Sequence, residues 1–264
     1  MRLDSSDQAN ADTAAAAPPR SMLSRVCQIL ACFRYGDNIL TLAELTRRTG
    51  LPKPTVHRVA RSMAENRLLE RTDGGFRLGL HLFELGGLVP HWRILREAAL
   101  PFMCDLYQAT HQTIHLGIMR DFEVLYLEKI RGHRDIVSVS HVGGRLPVHC
   151  SGIGKAMLAF STPELVDQTL AGSLEALTPH TITDREVLRA ELRDIVAEEV
   201  AYDREEAMVG LHCVAAPILD RRQNAVAAIS VSLPIDSCDI RATAIAVRAV
   251  AQRLSLTLPS SAYL

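Results

Sequence analysis

Between residues 40 and 78 several local signals follow one another in an order that few folds can host. Thr41-Leu42-Ala43-Glu44 has the form of a capping box, with Thr41 as N-cap and Glu44 at the third helical position. Leu40 and Leu45 flank it at the spacing of a hydrophobic staple. The helix it opens stops at Gly50, so it is short. Leu51-Pro52-Lys53-Pro54 then turns into a further helix, reaching to about Glu65. Val56, Val59, Ala60 and Met63 form its inner stripe, and Thr55, His57, Arg58, Arg61 and Ser62 fall largely on the other side. Asn66 suits a left-handed C-cap. Leu68 to Arg71, the turn Thr72-Asp73-Gly74-Gly75 and Phe76 to Leu78 read as a hairpin, because Asp-Gly supplies the backbone such a turn needs. A helix from Ser21 to about Phe33, closed near Gly36, precedes them. The order is that of a winged helix-turn-helix over residues 21–80.

Charge agrees with that shape. Residues 21–80 carry ten Lys/Arg against five Asp/Glu, while the whole chain has a net charge of −1. A basic block on a mildly acidic body suits a polyanionic partner for the block alone. A helix about 10–12 Å wide fits the major groove of DNA, where its first turns meet base edges. On this reading Thr55 and His57 read bases, and Arg58 and Arg61 reach phosphates or guanine edges. Thr41 and Lys53 lie at the two helix starts, and Arg71 and Arg77 flank the wing. A helical bundle with solvated arginines and a winged helix that docks on protein are the competing readings.

The 264-residue length allows a second domain. Residues 1–20, acidic and Ala/Pro-rich, read as a disordered leader without the apolar core of a signal peptide. No apolar run approaches the roughly 18 residues that a membrane span needs, so a cytoplasmic protein with no membrane partner is expected. Residues 79–100 look like a connecting helix interrupted near Gly86-Gly87 and Pro90, with residues 81–95 as the linker proper. Leu80, Leu82, Phe83 and Leu85 give it more apolar surface than one face needs, which points to self-association. From 96 to 264 the pattern is α+β. Strand-like runs cover 112–119 and 123–130, around an Arg120-Asp121 turn, and then 138–141, 213–219 and 224–233; helices cover 151–160 and 241–256, and Thr162-Pro163-Glu164 and Thr183-Asp184-Arg185-Glu186 open further helices.

Enzyme signatures fail on inspection. Ser151-Gly152-Ile153-Gly154-Lys155-Ala156 has the look of a phosphate loop, yet His149 and Ala156 stand where that motif needs Gly and Ser/Thr. His111 and His115 have zincin spacing, but Gln112 replaces the glutamate and the segment reads as a strand. None of the six cysteines forms a CxxC pair, so free thiols and no metal or cofactor are expected. An enzyme using Cys150 or Cys213, with the winged helix as a docking module, remains the alternative from a different class. Binding is easier to support. Gly152 and Gly154 strip side chains from a helix start, leaving backbone N–H groups to meet an anion.

These residues carry a family resemblance. Thr41–Leu45, Gly50-Leu51-Pro52 and Thr55-Val56-His57-Arg58 resemble the N-terminal pattern of the IclR family of bacterial transcription regulators. Gly144-Arg145-Leu146-Pro147-Val148-His149 leading into Ser151–Ala159, and Tyr202-Asp203-Arg204-Glu205-Glu206 with Gly210, Cys213–Ile218 and Ala228–Ser232, resemble its C-terminal one. The resemblance spans nearly all of residues 21–258. It implies a GAF-like effector domain, dimers often paired into tetramers, palindromic operator DNA, and control of catabolic operons by small organic acids. It also implies an effector site at the Gly152 and Ile153 amides, with Asp203, Cys213, Ser230 and Ser232 as polar groups; Leu146 would add an apolar wall. Asn66 departs from the usual Gly, and Pro54 replaces a commoner small or polar residue, removing an N–H at the start of the reading helix.

Overall fold

The computed structural model describes residues 21–133, 140–236 and 240–258. It divides into two compact units, with the division between Gly86 and Gly87. The expected leader, residues 1–20, lies outside the described residues.

In the first unit, α1 (Met22–Leu30), α2 (Leu42–Thr49) and α3 (Lys53–Glu65) precede a hairpin of β1 (Leu69–Thr72) and β2 (Gly75–Leu78). The Thr41 hydroxyl accepts from the Glu44 amide at 3.1 Å, and Gly50 closes α2 in the left-handed conformation at φ +66°. The capping box is only half made. The Glu44 carboxylate turns to Arg47 and Arg48, at 2.6 and 2.5 Å, rather than back to the Thr41 amide. Arg48 also binds Asp37 and the Cys32 carbonyl, so α2 is strapped to the loop after α1. Ile29, Leu40, Leu45, Val56, Val59, Met63, Leu69 and Phe76 make the core. Leu40 and Phe76 also exchange backbone hydrogen bonds, adding a bridge beside the hairpin. Two boundaries differ from expectation. α1 ends at Leu30 instead of Phe33. Asn66 is not left-handed (φ −95°); Arg67 takes that conformation at φ +59° while the Asn66 side-chain amide donates to the Ser62 carbonyl. α4 (Leu80–Gly87) follows the hairpin, tied to it by the Leu80 amide donating to Glu70.

The second unit opens with the long α5 (Pro90–Thr110). β3 (Thr113–Arg120), β4 (Glu123–Ile130), β5 (Arg145–Pro147), β6 (Ala201–Arg204), β7 (Leu211–Leu219) and β8 (Ala225–Pro234) form an antiparallel sheet in the order β5-β4-β3-β8-β7-β6. Between β5 and β6 come a single 3₁₀ turn (Val148–Cys150), α6 (Gly152–Ala159), α7 (Pro163–Ala171) and α8 (Arg185–Glu198); α9 (Ile240–Thr257) closes the chain. Thr162 caps α7, and Asp184, within the expected opening Thr183-Asp184-Arg185-Glu186, caps α8. The fold is an N-terminal winged helix-turn-helix with a C-terminal α+β domain, as the sequence leads one to expect.

Alternation along the strands decides what lies on each face. Ile114, Leu116, Ile118, Val214, Ala216, Ile218, Ile229, Val231 and Leu233 pack with residues of α5 and α9 in one core cluster. Val124, Tyr126, Ala201, Ala215 and Ala228 pack with α6, α7 and α8 in the other. Small residues on that second face let α6 come close. A Cβ built on Gly117 would meet Ile153 Cγ2 at 3.1 Å, and one on Gly152 would meet Ala215 Cβ at 3.3 Å.

Three expectations for the sheet need correction. The strand at 138–141 falls partly on residues 138 and 139, outside the described residues; Ser140 and His141 are not in a strand, and Arg145–Pro147 pairs with β4 instead. The turn between β3 and β4 lies at Asp121-Phe122, both left-handed at φ +54° and +63°, one residue later than expected. The edge strand β6 has no counterpart among the expected elements.

Candidate functional site

The DNA-facing candidates lie on the first unit. Lys53 begins α3; Thr55, His57, Arg58 and Arg61 follow on it, Thr55 half-buried and the others exposed. The α3 segment starts without a side-chain cap, because Pro52 precedes it and Pro54 occupies one of its first positions. Arg71 lies on β1 and Arg77 on β2. His57, Arg61 and Arg71 line one groove with Asp73 and Gly74 of the hairpin turn. Arg61 pairs with Glu65 at 3.1 Å and Arg77 with Glu70 at 2.6 Å. Both pairs are solvent-exposed and worth little, so each arginine is easily given up to a phosphate. The Thr41 hydroxyl caps α2 as an acceptor, which leaves its own proton to donate outward.

In the second unit, register gathers residues far apart in sequence. Thr113 pairs with Ser232, Ser232 with Cys213, and Cys213 with Asp203, making one polar row across β3, β8, β7 and β6. Paired residues share a face, and the contacts confirm it: Cys213 Sγ lies 3.1 Å from Ser232 Oγ. The next row holds His115 opposite Ser230, then Ala215 and Ala201. His115 Nδ1 lies 3.4 Å from Ser232 Oγ and its Nε2 lies 2.7 Å from Ser140 Oγ. The start of α6 sits over these rows. Ser151 caps the helix by accepting from the Gly154 amide, which leaves the Gly152 and Ile153 amides, first in the helix, without intrahelical acceptors. A Cβ on Gly152 would come within 3.5 Å of Cys213 Cβ and 3.8 Å of Asp203 Cβ. Gly154 is forced by packing: a side chain there would strike the Val148 backbone.

Six of the seven residues the resemblance implies are thus collected beneath or within α6. Leu146 is on β5, at the sheet edge away from β6, half-buried in the core cluster that α6 shares. Nothing in the sequence points to Tyr126 and Ser140 at this site, and His115 stands out there only for a zincin spacing that fails; their place depends on strand register. Sequence reasoning also missed the ion cluster under α6. Lys155 is fully buried, with Nζ 2.5 Å from both Glu191 and Glu206. Glu206 follows Asp203 by three residues, and its amide donates to Asp203 Oδ1 at 2.7 Å. The Thr178 and Thr181 hydroxyls hold the Glu205 and Glu206 carbonyls at 2.7 Å.

Burial sets the protonation states. It holds the His115 imidazole neutral, its pKa pushed down to about 3, with Lys129 adding to the effect. Burial pushes the Cys150 thiol up to about 12, and burial beside Asp203 raises Cys213 as well, so both thiols are protonated and weakly nucleophilic. Asp203 is raised to about 7 by burial and by the neighbouring Glu206, against the pull of the Glu206 amide and Lys155. Among the described residues no three His, Cys, Asp or Glu side chains are grouped to hold a metal ion.

A stability prediction follows from Asp203. Its folded pKa lies above the unfolded value of about 4, so the folded state binds the extra proton between about pH 4 and 7. This contribution is present below that window and lost as pH rises through it. Asp203→Asn keeps the acceptor oxygen and removes the charge. It should raise stability at pH 8 by about 2–4 kcal/mol and much less at pH 4, read by denaturant unfolding at both pH values.

Comparison with known proteins agrees with both halves. Residues 22–73 match the IclR helix-turn-helix domain, and residues 90–256 match the bacterial transcriptional regulator IclR C-terminal domain. The chain belongs to the IclR family of transcriptional regulators. It is similar to the HTH-type transcriptional regulator XynR of Escherichia coli K12, with 32% identity over 80% of this chain and 84% of that one. It is 36% identical to the HTH-type transcriptional regulator BhcR of Paracoccus denitrificans, over 80% of this chain and 77% of that one. Among solved structures it resembles an IclR homolog from Microbacterium hydrocarbonoxydans complexed with 4-hydroxybenzoate (TM-score 0.84, 32% identity, 90% of this chain and 99% of that chain). It also resembles the Thermotoga maritima IclR (TM-score 0.76, 26% identity, 89% and 98%). This IclR-type chain is a DNA-binding transcription regulator, as its relatives are by name. No helix among the described residues is long and apolar enough to cross a membrane.

Proposed function

We propose that this regulator binds a palindromic operator as a homodimer or a pair of dimers, and that a small organic acid bound under α6 changes its grip on DNA. The observation that carries the effector half is the polar row Ser232–Cys213–Asp203, with Ser230 beside it, lying beneath the two open amides of Gly152 and Ile153. Helix-start amides take a carboxylate, while hydroxyl and thiol groups orient the rest of the molecule. The related structure holding 4-hydroxybenzoate makes an aromatic carboxylic acid the first class to test. Thr55, His57 and Arg58 on α3 read or clamp the major groove; Lys53, Arg61, Arg71 and Arg77 neutralise phosphates around it. Leu80, Phe83 and Leu88, between 64% and 78% exposed on and after α4, offer the apolar surface for pairing two chains. The genes it controls belong on this reading to the catabolism of the acid it senses.

The test is a pair of titrations. 4-Hydroxybenzoate and short-chain organic acids are screened for a raised thermal midpoint, as a native-state ligand requires. Cys213→Ala removes one polar wall and relieves no contact of the DNA-binding unit. It should weaken the response to the acid by about tenfold and leave operator affinity without acid nearly unchanged. A loss of operator affinity in the acid-free variant would contradict the assignment of Cys213 to the effector site.

A further inference from the structure

Resting on the reading that a carboxylic acid binds under α6, one further property follows from the charges already there. Asp203 is 2% exposed and lies beside the helix start where the anion would sit. Its Oδ1 accepts from the Glu206 and Ala207 amides, at 2.7 and 3.4 Å, and the Cys213 thiol hydrogen-bonds the carboxyl group as well; Oδ2 is the oxygen without a backbone donor, open to a proton or a ligand. Glu206 stands next to it, 2% exposed, with Oε2 buried and unpartnered. Lys155 is the one buried cation among the described residues, and Glu191 and Glu206 already share it. Two carboxylates therefore already share the one ammonium, with the Asp203 carboxyl beside Glu206, before any ligand arrives.

Every other titratable group facing Asp203 is neutral at physiological pH. From β7 comes Cys213 and from the 3₁₀ turn Cys150, both thiols raised by burial. From β4 comes Tyr126, a phenol raised by burial and by these neighbours. His115 on β3, three strands across from β6, is held neutral. Arg204, the adjacent residue on β6, is exposed and stacks on the Tyr202 ring at 4.7 Å. No side chain there is free to compensate a further negative charge, and two carboxylates in contact in a buried site do not both ionise.

We propose that a carboxylate effector enters together with one proton from solvent, and that Asp203 carries it on Oδ2, donating a hydrogen bond to the bound anion. Charge balances: the site gains one anion and one proton. Asp203 is then a specificity-determining residue. It admits acids because it accepts a proton, and it couples effector affinity to pH.

Calorimetry of the full chain with 4-hydroxybenzoate, in buffers of different ionisation heat, counts the protons. At pH 8 uptake should approach one per site; at pH 6, where Asp203 is already largely protonated, it should be well below one. Affinity should fall with a limiting slope of about tenfold per pH unit above 7. The uncharged 4-hydroxybenzamide should show neither effect. Asp203→Asn, a neutral donor, should bind the acid with no uptake and a flat pH profile; Glu206→Gln, which removes one of the two causes that raise Asp203, should keep the uptake at pH 8 and move its onset to lower pH. Binding of 4-hydroxybenzoate by the unsubstituted protein with constant affinity and no uptake between pH 6 and 9 would overturn the proposal and leave the acid-sensing reading intact. Uptake that persists in Asp203→Asn and vanishes in Glu206→Gln would overturn the assignment to Asp203. If no organic acid binds at any pH, both readings fall together.

Discussion

Lys155→Met should cost about 3–5 kcal/mol of the stability of the C-terminal unit, the usual penalty for removing one partner of a buried charge cluster. Lys155 is fully buried and bridges Glu191 on α8 to Glu206 after β6, each at 2.5 Å. Without it, Glu206 keeps a charge that water cannot reach, while Glu191, 19% exposed, can still turn outward. The partners decide the recovery. Adding Glu206→Gln to Lys155→Met should restore at least half the loss, because a buried amide tolerates the site better than an unpaired carboxylate. Lowering the pH to about 4 should do the same to the single variant, since Glu206, already raised by burial, then accepts a proton. The check is denaturant unfolding followed by a probe confined to the second unit. A Lys155→Met chain as stable as the original at pH 8 would mean that the ion cluster contributes nothing to the fold under α6.

Arg58→Ala combined with Arg61→Ala should weaken operator binding by about a hundredfold at physiological salt and reduce the salt slope by about two counterions. Arg58 is exposed on α3, and Arg61 holds only the exposed Glu65. Binding to scrambled DNA should weaken too where these arginines hold phosphates, whereas loss confined to the specific duplex would make them base readers. Thr41→Ala makes the contrast. Its hydroxyl caps α2, so the change should cost about 1 kcal/mol of stability in the first unit and leave the salt slope as it was.

Local chemistry made the DNA-binding unit readable. A capping hydroxyl and a left-handed Gly50 each act within a few residues and do in the structure what their neighbours demand; the hairpin forms as well, though the positive φ falls on Gly75 and not on Asp73 or Gly74. The misreadings there are equally local. Glu44 had two arginines within one turn, and these outcompete the Thr41 amide for its carboxylate. Asn66 was the usual residue for a left-handed cap, but its side chain found the Ser62 carbonyl and the turn fell to Arg67.

The second unit was legible as elements and less so as a site. β6 is only four residues long, and Ala201-Tyr202-Asp203-Arg204 carries no propensity to announce it; it is a strand because Cys213 and its neighbours pair with it. His115, Tyr126 and Ser140 become neighbours of the polar row through pairing across β3, β4 and β8, at sequence separations that no periodicity reports. Lys155, Glu191 and Glu206 meet across 36 and 51 residues. Asp203, Cys213, Ser230 and Ser232 were named from family resemblance, not from spacing; the shared face that register gives them is a physical reason for the grouping.

The most direct test of the account is a binding titration of the full chain against a duplex selected from random DNA, at physiological salt, with and without 4-hydroxybenzoate and a panel of organic acids. The selected sequence should be two-fold symmetric and bound at least a thousandfold more tightly than scrambled DNA. One class of acid should shift that affinity by about tenfold or more, through a coupling that Cys213→Ala blunts. Equal affinity for selected and scrambled duplexes, unmoved by any acid, would contradict the account.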